Sequence, residues 1–268
     1  MTSESEAIVA AGYDAVYRAI PRSPTLGQIW LDHAAGPDFP AAFSHISFVT
    51  LAELRSLAET LQLAADATLV DLACGIAGPS LWIADQFAAR VVGIDASAVA
   101  VEMAAERALQ LGLSDRSTFR VGTFATTGLA TSSARAALSL DALQYAPNKT
   151  EAFAEIARIL EPNGRLGFTA FEVHPERVAG LPVLGDDPVA DYAPLLEQAG
   201  LRVESYDETQ GWSECVTNAY EAIIEHAAPL TAEMGADAYA SLAFEVALTL
   251  ERRPYRRRVV VTATRVTR

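Results

Sequence analysis

Apolar positions recur along this chain with two different periods, and the change from one period to the other marks where its parts begin. Residues 1–65 have the spacing of amphipathic helices, most clearly at Leu51–Leu63, with proline and glycine breaks between the helices. Residues 66–173 alternate short apolar runs with helical patterns. This alternation is typical of an α/β protein in which a mainly parallel sheet is covered by helices on both faces.

The short apolar runs predict seven strands, at Thr68–Ala73, Arg90–Asp95, Thr118–Gly122, Ala136–Leu140, Arg165–Phe171, Leu201–Tyr206 and Val259–Thr264. Helices are predicted between them at Gly78–Phe87, Ser97–Leu111, Thr150–Leu160 and Asp187–Gln198. Ser97 is a candidate N-cap, and Glu161–Gly164 is predicted as a turn. Because the last strand follows a long helical stretch, it can return antiparallel to its neighbours.

The length of 268 residues fits one sizeable α/β domain with an appendage. We expect a helical N-terminal cap at 1–65 and a core at 66–210. A helical lid insertion is expected at 211–252, broken near "APL" and "MGAD", and 253–268 would supply the strand that completes the core sheet.

The acidic composition narrows the choice of partners. The formal net charge of −14 repels phosphate backbones and anionic lipids, so nucleic acid and membrane partners are not expected. The arginines Arg252, Arg253 and 256–258 are interpreted as solvated charges or ion-pair partners. The start of the chain lacks a signal-peptide pattern, and no uncharged stretch reaches the length of a membrane span. Two isolated cysteines neither staple a fold nor form a metal site, which favours a reduced, cytoplasmic protein.

The stretch VDLACGIAGPSLWIA, from Val70 to Ala84, has the pattern of a strand, a tight turn and a helix start. Gly75 allows backbone to approach a ligand closely, and the amides at the helix start suit an anion. Asp95 lies at the tip of the next strand, where a carboxylate can accept hydrogen bonds from two ribose hydroxyls. Together these features predict a ligand that contains a nucleoside. Ala73 stands where a dinucleotide fingerprint usually opens with glycine, which argues against a dinucleotide.

Four motifs in order, VDLACGIAGPSLWIA, VVGIDAS, SLDALQY and LEPNGRLGFTAFE, resemble those of class I S-adenosylmethionine-dependent methyltransferases. The resemblance covers roughly residues 66–208 and is closest to the bacterial small-molecule type of specialised metabolism. It implies a Rossmann-like, seven-stranded, mostly parallel sheet with an antiparallel last strand and helical lid elements at both ends of the sequence. It also implies S-adenosylmethionine as the cofactor.

The resemblance further implies that the cofactor lies against residues that follow the first four strands, under a cover from the N-terminal segment. Asp95 would bind the ribose hydroxyls, and Thr123 stands where the family often has an acid that accepts the adenine amino group. The full set of implied cofactor contacts is Tyr13, Phe48, Thr50, Asp71, Ala73, Gly75, Asp95, Ala96, Gly122, Thr123, Phe124 and Leu140.

An oxygen or carbon acceptor can need a base that removes its proton, and two histidines are candidates for this role. His174 follows the fifth strand, at the sheet end where ligands bind in open α/β folds, and His45 lies within the expected cover. Asp141 and Glu172 could also act as bases. The candidate substrate contacts are Trp30, Gln144, Tyr145 and Trp212. No spacing of histidines, cysteines and carboxylates suggests a metal.

The sequence therefore predicts an enzyme that transfers a methyl group from S-adenosylmethionine to oxygen, nitrogen or carbon of a small, partly apolar metabolite. A rival hypothesis is a cyclase or isomerase that uses the bound cofactor for charge or structure without net methyl transfer. An NAD-dependent oxidoreductase and a non-catalytic binding protein are also compatible with the motifs. The sequence does not identify the methyl acceptor or the oligomeric state, and a homodimer is one of the possible states.

Overall fold

One sheet of seven strands organises the part of the chain that the computed structural model describes, residues 4–177 and 188–267. The strands are β1 (Thr68–Leu72), β2 (Arg90–Asp95), β3 (Ser117–Val121), β4 (Ala134–Leu140), β5 (Leu160–Val173), β6 (Leu201–Glu208) and β7 (Arg256–Arg265). Their order across the sheet is β3-β2-β1-β4-β5-β7-β6. Neighbours among β1–β5 are parallel, whereas β7 lies between β5 and β6 and is antiparallel to both. The predicted mostly parallel sheet with an antiparallel last strand is confirmed.

Ten α-helices accompany the sheet in the described residues. They are α1 (Glu4–Ala19), α2 (Pro24–His33), α3 (Leu51–Thr60), α4 (Gly78–Phe87), α5 (Ala98–Gln110), α6 (Lys149–Ile159), α7 (Ala193–Gln198), α8 (Trp212–Glu225), α9 (Ala227–Met234) and α10 (Ala236–Arg252). Ser97 is the N-cap of α5, as the sequence predicts, because its Oγ accepts a hydrogen bond from the Ala100 amide at 2.9 Å. No helix in the described residues is long and apolar enough to cross a bilayer.

Strand β5 is longer than the sequence predicts. It includes Glu161–Gly164, which the sequence marks as a turn. The pairing of β5 with β4 shifts register near its start, and Asn163 has a φ of +60°. The β4–β5 register passes from Leu160 directly to Arg165, and a Cβ on Gly164 would lie 2.8 Å from the Glu161 carbonyl oxygen. The chain therefore makes a tight turn at the predicted place, inside the span of β5.

The helix before β6 starts later than the sequence predicts, whereas the helices after β6 are divided near the predicted breaks. Helix α7 begins at Ala193, and Asp187, the predicted start, lies outside the described residues. The long helical stretch after β6 is divided at His226 and Gly235 into α8, α9 and α10. These divisions fall at the two breaks that the sequence indicates.

Hydrophobic side chains cover both faces of the sheet. Leu69 of β1 packs in one core cluster with residues of α3, α8 and α10, whereas Val70 packs in another with Phe153 and Ile156 of α6. Successive strand residues point to opposite faces, so both sides of the central strands are buried. This double burial explains why the parallel strands read as continuous apolar runs.

Arg258 on β7 is fully buried and binds two carboxylates from distant parts of the chain. Its Nε and Nη2 donate to Asp141 at 2.8 and 3.1 Å, and its Nη1 donates to both oxygens of Glu53 at 2.9 and 3.0 Å. Burial alone would lower the pKa of Arg258, but Asp141 and Glu53 raise that pKa well above its usual range. Asp141 also accepts a hydrogen bond from the Phe48 amide at 2.7 Å. This buried ion network joins β7, the end of β4 and the segment around α3.

Replacing Arg258 with methionine should lower the free energy of unfolding by about 3–5 kcal/mol, because two carboxylates would stay buried without their cation. Urea unfolding followed by circular dichroism measures this loss. Arg202→Met is the matched control, since the Arg202–Glu204 pair is exposed and should contribute less than about 1 kcal/mol. Equal effects of the two substitutions would contradict an anchoring role for the buried network.

Candidate active site

The turn between β1 and α4 holds two alanines in a left-handed conformation. Ala73, Gly75 and Ala77 have φ values of +56°, +52° and +56°. Such a conformation costs an L-residue roughly 1–2 kcal/mol, so the rest of the turn must hold the two alanines in place. At Gly78, a Cβ would lie 2.1 Å from the carbonyl oxygen of Phe43. Gly78 is therefore required because the N-terminal segment packs directly on the start of α4.

Asp95, at the end of β2, is fixed by two backbone amides. Its Oδ2 accepts a hydrogen bond from the Gly75 amide, and its Oδ1 accepts one from the Ser97 amide, both at 2.8 Å. Burial raises the pKa of Asp95, whereas these amide hydrogen bonds lower it, and the raising effect is the larger. Each carboxylate oxygen keeps a lone pair for another donor. The sequence predicted that Asp95 would be placed to accept bonds from a ligand, and the geometry is compatible with that role.

A cavity of about 600 Å³ lies at the carboxyl ends of β1, β2, β3 and β4, with α1, α2, α8 and α10 contributing its other walls. This volume is in the usual range for small-molecule sites. The structure brings most of the sequence-predicted residues to this cavity: Tyr13, Trp30, His45, Phe48, Asp71, Ala73, Gly75, Asp95, Ala96, Gly122, Thr123, Phe124, Leu140, Gln144 and Tyr145.

Three predicted contacts lie elsewhere. Thr50 is exposed and caps α3 by accepting a hydrogen bond from the Glu53 amide at 3.2 Å. His174 is exposed beyond the end of β5, outside the cavity lining. Trp212 begins α8, and its Nε1 donates to Glu208 at 2.9 Å; its ring packs behind the lining residue Phe171, with 5.8 Å between the ring centroids, and is not itself part of the lining. Contrary to the sequence prediction, these three side chains are therefore not placed to contact a ligand in the cavity.

His45 lies in the cavity wall but has the wrong tautomer for a base. Its Nδ1 accepts a hydrogen bond from the Ser47 amide at 3.2 Å, so the proton of the neutral ring is on Nε2. Burial lowers the pKa of His45 to about 3, which keeps the ring neutral. Nε2 is buried without a hydrogen-bond partner in the described part of the chain. His45 can therefore donate a hydrogen bond, whereas the predicted role as proton acceptor does not fit.

The sequence analysis missed a half-buried carboxylate that three tyrosines surround. Oε1 of Glu245 on α10 accepts hydrogen bonds from Tyr145 at 2.9 Å, Tyr13 at 3.2 Å and Tyr220 at 3.5 Å. Burial is the main cause that raises the pKa of Glu245, and burial likewise raises the pKa values of the three tyrosines. The tyrosines are therefore donors, and Glu245 is the acceptor at the centre of this tyrosine cluster.

A signal for Glu245 was present in the sequence. Leu242, Glu245 and Thr249 repeat at helical spacing along α10, and all three line the cavity. A single acid within an otherwise buried stripe is unusual unless it has partners. The partners could not be identified from the sequence, because Tyr13 is 232 positions away and Tyr145 is 100 positions away.

The cavity lining fits S-adenosylmethionine at several points. The fixed Asp95 carboxylate suits the two ribose hydroxyls, and Ile76 and Phe124 offer apolar surface for adenine. The buried acids Asp71 and Asp95 supply negative charge opposite a sulfonium. A Cβ on Gly75 would lie 2.8 Å from the Tyr17 hydroxyl, so this part of the turn has no space for a side chain. Among the described residues, no group of three or more histidines, cysteines and acids could hold a metal ion.

Comparison with known proteins agrees with this geometry. Residues 70–168 match the family model described as a methyltransferase domain. Methyltransferase GfsG of Streptomyces halstedii is 28% identical over 158 residues, which are 55% of this chain and 57% of that protein. The 27-O-demethylrifamycin SV methyltransferase of Amycolatopsis mediterranei (strain S699) is 27% identical over 227 residues, with 80% of each protein covered. The chain thus spans little more than half the length of the first of these relatives.

Solved structures share the fold over nearly the whole chain. The [4+2]-cyclase SpnF has a TM-score of 0.76 at 23% identity, covering 97% of this chain and 96% of that one. Geranyl diphosphate C-methyltransferase from Streptomyces coelicolor A3(2) has a TM-score of 0.63 at 17% identity, covering 95% of this chain and 98% of that one. Residues 70–168 are thus similar to methyltransferase domains, and the sheet topology agrees with the Rossmann-like fold that the sequence motifs predict.

Proposed function

We propose that the protein transfers a methyl group from S-adenosylmethionine to a small, largely apolar metabolite. The observation that carries this proposal is a cavity with two kinds of wall. One wall is the turn after β1 with the acids Asp71 and Asp95, which suit the cofactor. The other wall consists mainly of aromatic and aliphatic side chains from α1, α2, α8 and α10, including Trp30 and Leu242. Such a wall suits an apolar acceptor.

The residues around the turn would hold the cofactor. Asp95 would bind the ribose hydroxyls, and the backbone of Ala73 and Gly75 would lie beside the methionine part. Thr123 lines the cavity, but its Oγ1 already accepts a hydrogen bond from the Thr126 amide at 3.1 Å, so towards adenine it would act as a donor. S-adenosylmethionine supplies a methyl group on a cationic sulfur, activated for displacement. The remaining task of the chain is to align the acceptor and exclude water.

Glu245 replaces the two histidines as the candidate proton acceptor. It lines the cavity, and the three tyrosine hydroxyls fix its Oε1. Because burial raises the pKa of Glu245, its carboxylate is a stronger base than an exposed one. His45, with its proton on Nε2, would donate a hydrogen bond to a substrate oxygen.

The named relatives favour a bacterial specialised metabolite as the acceptor. The name of the Amycolatopsis relative states that its substrate is 27-O-demethylrifamycin SV. For this chain we propose only the same class of substrate, a natural product with an apolar body. The free thiols of Cys74 and Cys215 fit the cytoplasmic location that the sequence predicts.

Replacing Asp95 with asparagine should weaken binding of S-adenosylhomocysteine at least about tenfold, because one charged acceptor of the ribose hydroxyls is lost. Isothermal titration calorimetry measures the affinity. Asp85→Asn, an exposed position on α4, is the matched control and should bind like the unchanged protein. Unchanged affinity of the Asp95 variant, or no binding by the unchanged protein, would rule out the proposed cofactor site.

The preference for S-adenosylmethionine over S-adenosylhomocysteine should increase with pH. Burial raises the pKa of Asp71 to about 7, so this group gains its negative charge between about pH 6 and pH 8. Only the first ligand carries a cationic sulfur, so the ratio of the two affinities should rise on the order of fivefold over this interval. Titrations of both ligands at the two pH values test this, and Asp71→Asn should abolish the rise. A flat ratio in the unchanged protein would show that Asp71 does not face the sulfur.

S-adenosylhomocysteine at about a hundred times its dissociation constant should stabilise the fold by about 2.7 kcal/mol, which corresponds to roughly 5–10 °C in melting temperature. NADH should give no shift. The reverse result would favour the oxidoreductase, and no shift with either ligand would favour a binding protein without this cofactor.

Incubation of the protein and candidate acceptors with S-adenosylmethionine labelled in its methyl group then separates a methyltransferase from a cyclase. Label in the product supports methyl transfer. Conversion of an acceptor with all label left on the cofactor supports the cyclase or isomerase, a hypothesis kept because SpnF shares the fold.

A further inference from the structure

Arg252 and Arg256 contain buried nitrogen atoms without hydrogen-bond partners in the described part of the chain. These atoms are Nε and Nη2 of Arg252 and Nε of Arg256. Arg252 is 5% exposed. Burying a guanidinium without a counter-charge costs several kcal/mol, so such groups are normally paired. Two of them close together indicate a partner that is not part of the chain.

The other three arginines of the same run do have partners. Arg253 donates to the Thr217 hydroxyl at 2.5 Å, and Arg257 forms an ion pair with Glu172 at 2.6 Å. Arg258 holds the buried ion network. The interpretation of this run as solvated charges or ion-pair partners therefore fails for Arg252 and Arg256.

Of the two arginines, Arg256 lines the cavity and Arg252 lies behind that lining. Arg252 is one turn beyond Thr249 on the same face of α10. Arg256 lines the cavity, with its guanidinium carbon 4.2 Å from the ring centroid of Phe171, another lining residue. Burial is the main cause that lowers the pKa of Arg252, the positive charge of Arg256 lowers it further, and the negative charge of Glu251 acts in the opposite direction.

Glu245 faces the same cavity and, among the described residues, forms no direct salt bridge with either arginine, although the positive charge of Arg256 lowers the pKa of Glu245. Seven residues separate it from Arg252, which is about 10 Å along a helix axis. Its Oε1 is engaged by three tyrosines. The cavity thus has an acceptor region at the tyrosine cluster and, near the start of β7, a guanidinium with a buried nitrogen that no group in the described residues accepts from.

We propose that Arg256 binds an anionic oxygen group of the substrate, a carboxylate or a phosphate, with the positive charge of Arg252 behind it, while the apolar cavity walls hold the remainder of the molecule. The substrate class is then an amphipathic organic acid or phosphate ester. This assignment of the substrate rests on the proposed function, whereas the anion site itself can be tested without the cofactor.

Three probes with the same eight-carbon tail separate charge from apolar contact: octanoate, octyl phosphate and 1-octanol. Calorimetric titration at fixed salt should give at least about tenfold tighter binding for one or both anions than for 1-octanol. Arg256→Gln should remove this advantage and change 1-octanol binding by less than about twofold. Arg253→Gln, whose partner is Thr217, is the matched control and should leave all three affinities unchanged.

A second measurement does not depend on the probes. Arg252→Met removes an unpaired buried charge, so without ligand it should raise the melting temperature by about 2–4 °C. Three results would overturn the proposal: equal binding of the anions and 1-octanol, equal weakening of all probes by Arg256→Gln, or a melting temperature lowered by Arg252→Met. Absence of binding by every probe would overturn it as well. Failure of S-adenosylhomocysteine to bind would instead refute the proposed function and leave the probe results intact.

Discussion

The buried ion network of Arg258 is the constraint on which the ligand-binding edge of this protein depends. One guanidinium joins Glu53, which lies near the start of α3, to Asp141, which follows β4. Asp141 has a φ of +52° and binds the Phe48 amide, so the same carboxylate also fixes one cavity wall. Since a buried charge without its partners is very costly, these three parts of the chain can occupy few other relative positions. This restriction also fixes the shape of the cavity.

The cavity is electrostatically divided although its walls are mostly apolar. Asp71 in β1 and Asp95 at the end of β2 lie beside the turn after β1, and Glu245 lies among tyrosines on the helical side. Arg256 contributes the opposite charge near Phe171. A low-polarity surrounding strengthens each of these fields, because little water is present to screen them. An uncharged pocket of this size would bind apolar molecules without a fixed orientation, whereas separated charges give a bound molecule one direction.

The sequence was sufficient for the features that depend on nearby residues. The strands, the N-cap at Ser97 and the turn from Ala73 to Gly78 follow from local patterns, and the placement of Asp95 follows from strand order. The sequence motifs also indicated which residues follow β1 to β4, and these line the cavity. In each case, the relevant information lies within about thirty residues of the feature, which is the span of one strand–helix–strand unit.

Features that depend on packing between distant helices could not be predicted in this way. The sequence places Glu245 in the expected lid helix but does not reveal its partners. These tyrosines come from α1, α8 and the segment after β4, which are far apart in the sequence. The role of His45 depends on the Ser47 amide, which decides the tautomer. The sequence favoured solvated charges or ion pairs for the arginine run, yet Arg258 is 0% exposed, because β7 is inserted between β5 and β6 and is not added at the edge of the sheet.

The position of β7 between β5 and β6 has a consequence for synthesis on the ribosome. Strands β5 and β6 are made first, but each has β7 as a sheet neighbour, and three helices must be translated before it. Until then, the nascent chain exposes one unpaired edge of β5 and has no place in the sheet for β6. Open strand edges invite pairing with other chains. Until β7 has been made, the edge of β5 that it covers is open to pairing with another chain, and a chaperone that shields this edge would prevent such pairing.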